Sequence, residues 1–191
     1  VSHLSGDSQT LPAAIFWGNS KHHYGSASST LLDMNPRMEY SIADLDDDGF
    51  PDLVFLRGPA QRAVVMWGSQ DGFHVKNRTD LPVEAPSSSS IADLNQDGSL
   101  DIFFITSERF PGGSRMHTNI VWGNPQRMSN PKVTRFEAGL GGNEANAIAD
   151  LNRDGFLDLL FPAGNFRQSL VLHGNEDDST GFNSIKGGPQ F

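Results

Sequence analysis

The chain of 191 residues contains no cysteine. That excludes disulfides and thiolate zinc sites, and it fits secreted bacterial proteins, many of which do without disulfides. No apolar run approaches the roughly 18 residues of a membrane-spanning helix, so no transmembrane segment is expected. No stretch holds a sustained 3.6-residue apolar period, so little or no helix is expected. A glycine-rich phosphate loop is missing, and so is the G-x-S-x-G elbow of a serine hydrolase. Positive charge is scarce as well: 14 Lys and Arg stand against 23 Asp and Glu, for a net charge of −9. Nucleic acid is therefore not expected as a partner, because phosphate contacts need a basic patch. There is no signal peptide, but the chain begins at Val1 and not at Met, so a processed chain or a fragment is expected.

What is present is a repeated acidic segment. Ile42 to Phe55 reads IADLDDDGFPDLVF, Ile91 to Phe104 reads IADLNQDGSLDIFF, and Ile148 to Phe161 reads IADLNRDGFLDLLF. Oxygen-bearing side chains recur at loop positions 1, 3, 5 and 9. They are Asp44, Asp46, Asp48 and Asp52 in the first copy, and Asp93, Asn95, Asp97 and Asp101 in the second. In the third they are Asp150, Asn152, Asp154 and Asp158. Position 6 is Gly49, Gly98 or Gly155, which permits a sharp turn with positive φ. Position 7 (Phe50, Ser99, Phe156) shares no side chain and would offer a backbone carbonyl.

A hard cation such as calcium takes about 6–8 oxygens, and alternate residues of a tight loop can share one ion. The spacing predicts three calcium sites, with position 9 closing each cage. The ten Asp at these positions outnumber the whole net charge of −9, so the acidity is local to the loops. An EF-hand opens similarly but needs Glu at position 12 and flanking helices. Position 12 here is Phe55, Phe104 and Phe161, and DLVF, DIFF and DLLF read as strands. A metal-free Asp/Asn/Gly turn explains one copy as well as a metal does. Three copies with the same donor positions favour metal.

A second marker runs in phase with the first. AAIFWGN, AVVMWGS, TNIVWGN and SLVLHGN place Trp17, Trp67, Trp122 and His173 at one position of the repeat. The unit is about 50 residues long and reads as four strands. In the first full unit these are Tyr40 to Leu45, Asp52 to Arg57, Ala63 to Trp67 and, weakest, about Phe73 to Arg78. Pro82 to Ser90 reads as a joint. In the second unit, Pro111-Gly112-Gly113 within SERFPGGSRMHT marks an inserted surface loop. Small Ala43, Ala92 and Ala149 suit a crowded position near an axis, and the apolar runs DLVFL, DIFFI and DLLF suit strands covered on both faces. The fold class expected is an all-β propeller of four-stranded blades.

These loops, with the Trp-Gly turns and Gly72-Phe73 and Gly181-Phe182, make the chain resemble the FG-GAP/VCBS repeat family of integrin α-like propeller blades. The resemblance implies calcium in each loop at the hairpin between a blade's first two strands. It also implies an extracellular or periplasmic setting and roles in adhesion, ligand binding or glycan binding. The expected division is residues 1–38 as the second half of a blade, then blades at 39–86, 87–143 and 144–191. Such propellers usually close with about seven blades, with 4–8 for propellers in general. About three and a half are present, so the expected partners include the remaining blades of a longer chain or another subunit. The protein or glycan ligand is not legible.

Other chemistry is thin. His22-His23 lies in a polar loop with no third ligand at spacing, and a solvated loop is the simpler reading. His173 reads as a packing substitute for Trp. The carboxylates outside the loops (Glu39, Glu84, Glu108, Glu137 and Glu144) share no repeated phase, so no catalytic residues are expected. A binding or interaction scaffold is the leading function. A sugar-binding module, or the propeller of a polysaccharide-acting enzyme, is the alternative.

Overall fold

The structure, a computed structural model, describes residues 13–20, 23–32, 40–56, 62–110, 113–136, 146–161, 169–175 and 182–183. Among them every regular element is a strand, as the missing helical period led one to expect. No helix among the described residues is long and apolar enough to cross a membrane. The strands are β1 (Ala13–Gly18), β2 (Tyr24–Leu32), β3 (Tyr40–Ala43), β4 (Asp52–Phe55) and β5 (Arg62–Met66). Next come β6 (Arg78–Glu84), β7 (Pro86–Ala92), β8 (Asp101–Phe110), β9 (Gly113–Val121) and β10 (Val133–Phe136). The last are β11 (Ala147–Ala149), β12 (Asp158–Phe161), β13 (Leu170–Gly174) and β14 (Phe182–Asn183).

They form one two-stranded sheet, β1-β2, and three antiparallel four-stranded meanders: β3-β4-β5-β6, β7-β8-β9-β10 and β11-β12-β13-β14. Each meander begins with a short strand, an acidic loop and a buried strand, which is the order the repeat predicted.

The buried second strand explains how the sheets stack. Side chains alternate across a strand. Leu53 and Phe55 of β4 therefore pack toward β1-β2, in a cluster with Leu32, Val64 and Met66. Val54 turns the other way, and with Val65, Trp67, Leu81 and Val83 it meets Ile102, Phe104 and Met128 of the next sheet. Alternation repeats in β8, whose Phe103 and Ile105 face Leu159, Phe161 and Leu172. Phe103 and Phe161 meet as tilted rings 5.8 Å apart. A strand covered on both faces can be apolar throughout, which is why these segments do not alternate with polar residues.

The first strands of successive sheets lie beside one another and are joined through polar side chains. Ser41 and Ser89 hydroxyls pair at 2.7 Å. Asn146, just before β11, donates to Ser88 at 3.1 Å and accepts from Ser90. The Ser-rich stretch is therefore not a joint but part of β7. The fourth strand of the first full unit also differs from expectation. Residues 73–77 are not strand, with a turn closed from Asn77 N–H to the His74 carbonyl, and the strand is β6, from Arg78 to Glu84, running through Pro82. Leu81 and Val83 are buried while Pro82 faces outward; β6 is an edge strand, where a missing N–H breaks no ladder bond. Only Ala85, with φ of 46°, separates β6 from β7. In the second unit Pro111 and Gly112, read as a surface loop, lie outside the described residues, but the residues on either side are strand. β8 and β9 lengthen into a hairpin whose register continues to Phe110 opposite Gly113.

The aromatic marker has a structural partner. Trp17, Trp67 and Trp122 donate their indole N–H to Thr30, Thr79 and Thr134 at 2.9, 2.9 and 2.8 Å. This ties β1 to β2, and the ends of β5 and β9 to β6 and β10.

Candidate metal centre

Each acidic loop is shaped by its own carboxylates. In the first, the position-1 carboxylate of Asp44 accepts the N–H groups of Asp48 at 3.1 Å and Gly49 at 2.9 Å. Asp93 does the same with Asp97 and Gly98, and Asp150 with Asp154 and Gly155. The position-5 carboxylates of Asp48, Asp97 and Asp154 accept the N–H of Phe50, Ser99 and Phe156. Position 7 thus meets the loop through its amide, and its carbonyl contribution to a cation is an expectation from spacing alone. Gly49, Gly98 and Gly155 have φ of 87°, 88° and 96°, the left-handed turn that position 6 was read to need.

Position 9 lies beneath the loop. Asp52, Asp101 and Asp158 are fully buried. One oxygen of each accepts the position-2 N–H (Leu45, Leu94, Leu151), at 2.8 Å in all three. The other accepts the N–H of the marker glycine: Gly68 and Gly123 at 2.8 Å, Gly174 at 3.1 Å. The carboxylate therefore ties the loop to the end of the third strand, and in Asp52 and Asp101 each oxygen keeps a second lone pair. His173, which takes the place of Trp in the last unit, also reaches Asp158, at 3.0 Å. Sequence reasoning treated the marker glycine as part of a turn only. The available signal was that one marker glycine follows every position-9 Asp, 16 residues on in the first and third units and 22 in the second, which carries the insertion.

Burial pushes the Asp52 and Asp101 carboxyls up to about 6, although two backbone N–H bonds pull each down; Asp46 and Asp48, or Asp97 and Asp93, add repulsion. A pKa above the unfolded value means that the folded state holds the proton more tightly. The resulting stability is complete below the unfolded pKa of about 4 and is lost as pH rises through about 6. Asp154 runs the other way, held low by the Phe156 N–H and then the Asn152 amide, but it is exposed and contributes little. In excess chelator, the urea midpoint is expected to fall as pH rises from about 4 to about 7. A midpoint that climbs over that range contradicts this assignment.

The donors fit a hard cation. Asp44, Asp46 and Asp48 bring one oxygen each within 4.8 Å of one another. Oδ1 of Asp46 is buried and has no hydrogen-bond partner among the described residues. A buried anionic oxygen without a partner is costly, and a cation there would relieve it. An all-oxygen set of carboxylates and amides is the chemistry of calcium or magnesium rather than of a soft metal. Asn replaces Asp at position 3 in the other two loops, so each gathers fewer charges around the same frame.

The profile of the FG-GAP-like repeat matches residues 44–104 and again residues 93–161. T-cell immunomodulatory protein from Homo sapiens is 24% identical over 153 residues, which cover 80% of this chain and 24% of that protein. The proteins of the same name from Rattus norvegicus and Mus musculus are each 25% identical over 153 residues, with the same coverage. The chain thus spans about a quarter of the length of these curated relatives.

Proposed function

We propose, from the premise that this chain belongs to the FG-GAP-like repeat family, that it is a calcium-stabilised propeller segment serving as an extracellular interaction scaffold. The observation that carries the reading is the carboxylate group of the first loop with its unpartnered buried oxygen, on a frame that recurs twice. Three meanders stacked face to face, with their first strands adjacent, support three blades around an axis near the expected 39–86, 87–143 and 144–191, with Pro86 already in the second. Residues 1–38 supply the latter half of a further blade. The partner is a protein or glycan ligand together with further blades or another subunit. The relatives' name, T-cell immunomodulatory protein, is in keeping with an interaction role.

Asp44, Asp46, Asp48 and Asp52 would hold one calcium; Asp93, Asn95, Asp97 and Asp101 the second; and Asp150, Asn152, Asp154 and Asp158 the third. Bound calcium would neutralise carboxylates that otherwise repel one another. It would act on the hairpin that leads into each buried second strand. At the weak end of calcium sites, dissociation constants are about 10⁻⁴–10⁻³ M. One site held at about a hundred times its constant adds about 2.7 kcal/mol.

Calorimetric titration is expected to show calcium binding, and excess chelator to lower the melting temperature. Asp97→Ala is expected to lose one site and most of that site's 2.7 kcal/mol. An identical melting curve with and without chelator would sink the calcium reading.

A further inference from the structure

The three loops share a frame, but the first is completed by a residue from the next sheet. In the second and third loops the position-3 amide donates to the position-5 carboxylate. Asn95 Nδ2 reaches Asp97 Oδ2 at 2.9 Å, and Asn152 Nδ2 reaches Asp154 Oδ2 at 2.8 Å. Their Oδ1 atoms accept the position-5 N–H at 3.1 and 2.9 Å. Asp46 has no donor to offer. In its place Arg127, from the segment between β9 and β10, donates Nη2 to Asp48 Oδ2 at 3.0 Å and Nε to Asp46 Oδ2 at 2.6 Å. Oδ1 of Asp46, on a side chain only 6% exposed, is left without a partner.

Arg127 is held in this place from several sides. Its guanidinium lies 5.5 Å from the Trp67 ring centroid, and Nη1 reaches Asn77 Oδ1 at 3.3 Å. Its carbonyl accepts the Thr79 hydroxyl at 3.0 Å, and its φ is 54°. Trp67, Asn77 and Thr79 all belong to the sheet that carries the first loop. The charge also matches. Loop 1 has four carboxylates at the donor positions, and the others have three. One guanidinium offsets the extra one, on the side chain that distinguishes the loop.

We propose that Arg127 is a built-in counter-cation of loop 1, a positioning residue that competes with a divalent ion for Asp46 and Asp48. This rests on the calcium reading above. When loop 1 is empty, the guanidinium offsets the repulsion among its carboxylates and keeps the β9–β10 segment docked on the preceding sheet. When calcium arrives, it takes over part of that neutralisation. Removing Arg127 therefore harms the empty state more than the loaded one, because a nearly buried carboxylate is left uncompensated only in the former. By linkage, the loss must tighten calcium binding at loop 1.

The test is calcium titration by calorimetry on the whole chain, with Asp44→Asn used to identify the loop 1 class. Arg127→Met is expected to tighten that class about tenfold, equivalent to about 1.4 kcal/mol, and to leave the other two classes unchanged. Its melting temperature is expected to drop more in chelator than in calcium. Arg127→Lys keeps the charge but not the fork that spans two carboxylates. It should fall between wild type and Met, and it keeps the test decisive if the Met variant folds only with calcium, itself an expected result. An unchanged or weaker loop 1 class in both variants, with calcium still bound at the other loops, overturns this proposal alone. Wild-type protein that binds no calcium at any loop overturns it together with the reading beneath it.

Discussion

Asp101→Ala is expected to destabilise the protein by about 4 kcal/mol, measured in excess chelator so that metal ligation does not enter. The carboxylate has no solvent exposure, and its two oxygens accept the N–H groups of Leu94 and Gly123 at 2.8 Å each. Alanine strands both donors in a site already closed to water. Each orphaned donor costs about 1–3 kcal/mol, and the missing volume adds a little more. One effect opposes this. Burial pushes the Asp101 carboxyl up to about 6, so at neutral pH its removal relieves some desolvation. The two lost acceptors outweigh that relief. For a chain of this size about 4 kcal/mol lowers the melting temperature by roughly 10 °C. Asp101→Asn keeps one acceptor oxygen but turns an amide donor toward the other N–H, so it should lie between wild type and Ala. A loss below about 1 kcal/mol for Ala would mean that the loop and the third strand do not depend on this tie.

Gly68→Ala is expected to cost about 3 kcal/mol or more, for a different reason. A Cβ at this residue would stand 2.3 Å from the Pro51 carbonyl oxygen and 3.1 Å from its carbon. No rotamer relieves the clash, because both partners are backbone, and overpacking of this kind costs about 1–3 kcal/mol or more. The backbone cannot easily retreat: Asp52, next to Pro51, holds Gly68 N–H at 2.8 Å. Gly123 meets Leu100 in the same way, with 2.3 Å to its carbonyl oxygen, so Gly123→Ala should behave alike. Gly49 serves as the control. Its φ is +87°, but a Cβ there would have nothing within 4 Å. Gly49→Ala therefore carries only the left-handed backbone penalty of about 1–2 kcal/mol. Urea denaturation of the three variants should rank Gly49→Ala as the mildest. If all three lose the same amount, close approach is not what selects glycine in the marker.

The loops were legible in the sequence because everything that shapes them is local. Asp44, Asp46, Asp48 and Gly49 act within six residues, and Asp44 closes the turn by accepting amides four and five residues on. A side chain that bends its own backbone leaves a spacing that can be read directly. The buried second strands were legible too, since DLVF and DIFF can be apolar throughout only if both faces are covered. The fourth strand was misplaced because its position depends on its neighbour's register: Met66 pairs with Arg78, not with a residue near Phe73. The apparent joint at Pro82 to Ser90 misled for a similar reason. Proline on an edge strand and serine on a first strand are tolerated by their places in the sheet, and sequence alone does not show those places.

The residues themselves determined that this chain is made of strands, that its unit recurs, and that oxygen donors are concentrated at three turns, because periodicity and local chelation need no knowledge of distant chain. Tertiary structure alone decided which groups complete those turns. Asp52 and Gly68 are 16 residues apart, and Arg127 lies 81 residues from Asp46. Contacts at such separations are set by how whole sheets stack, and hydrophobic burial specifies that stacking through many side chains at once rather than through any motif.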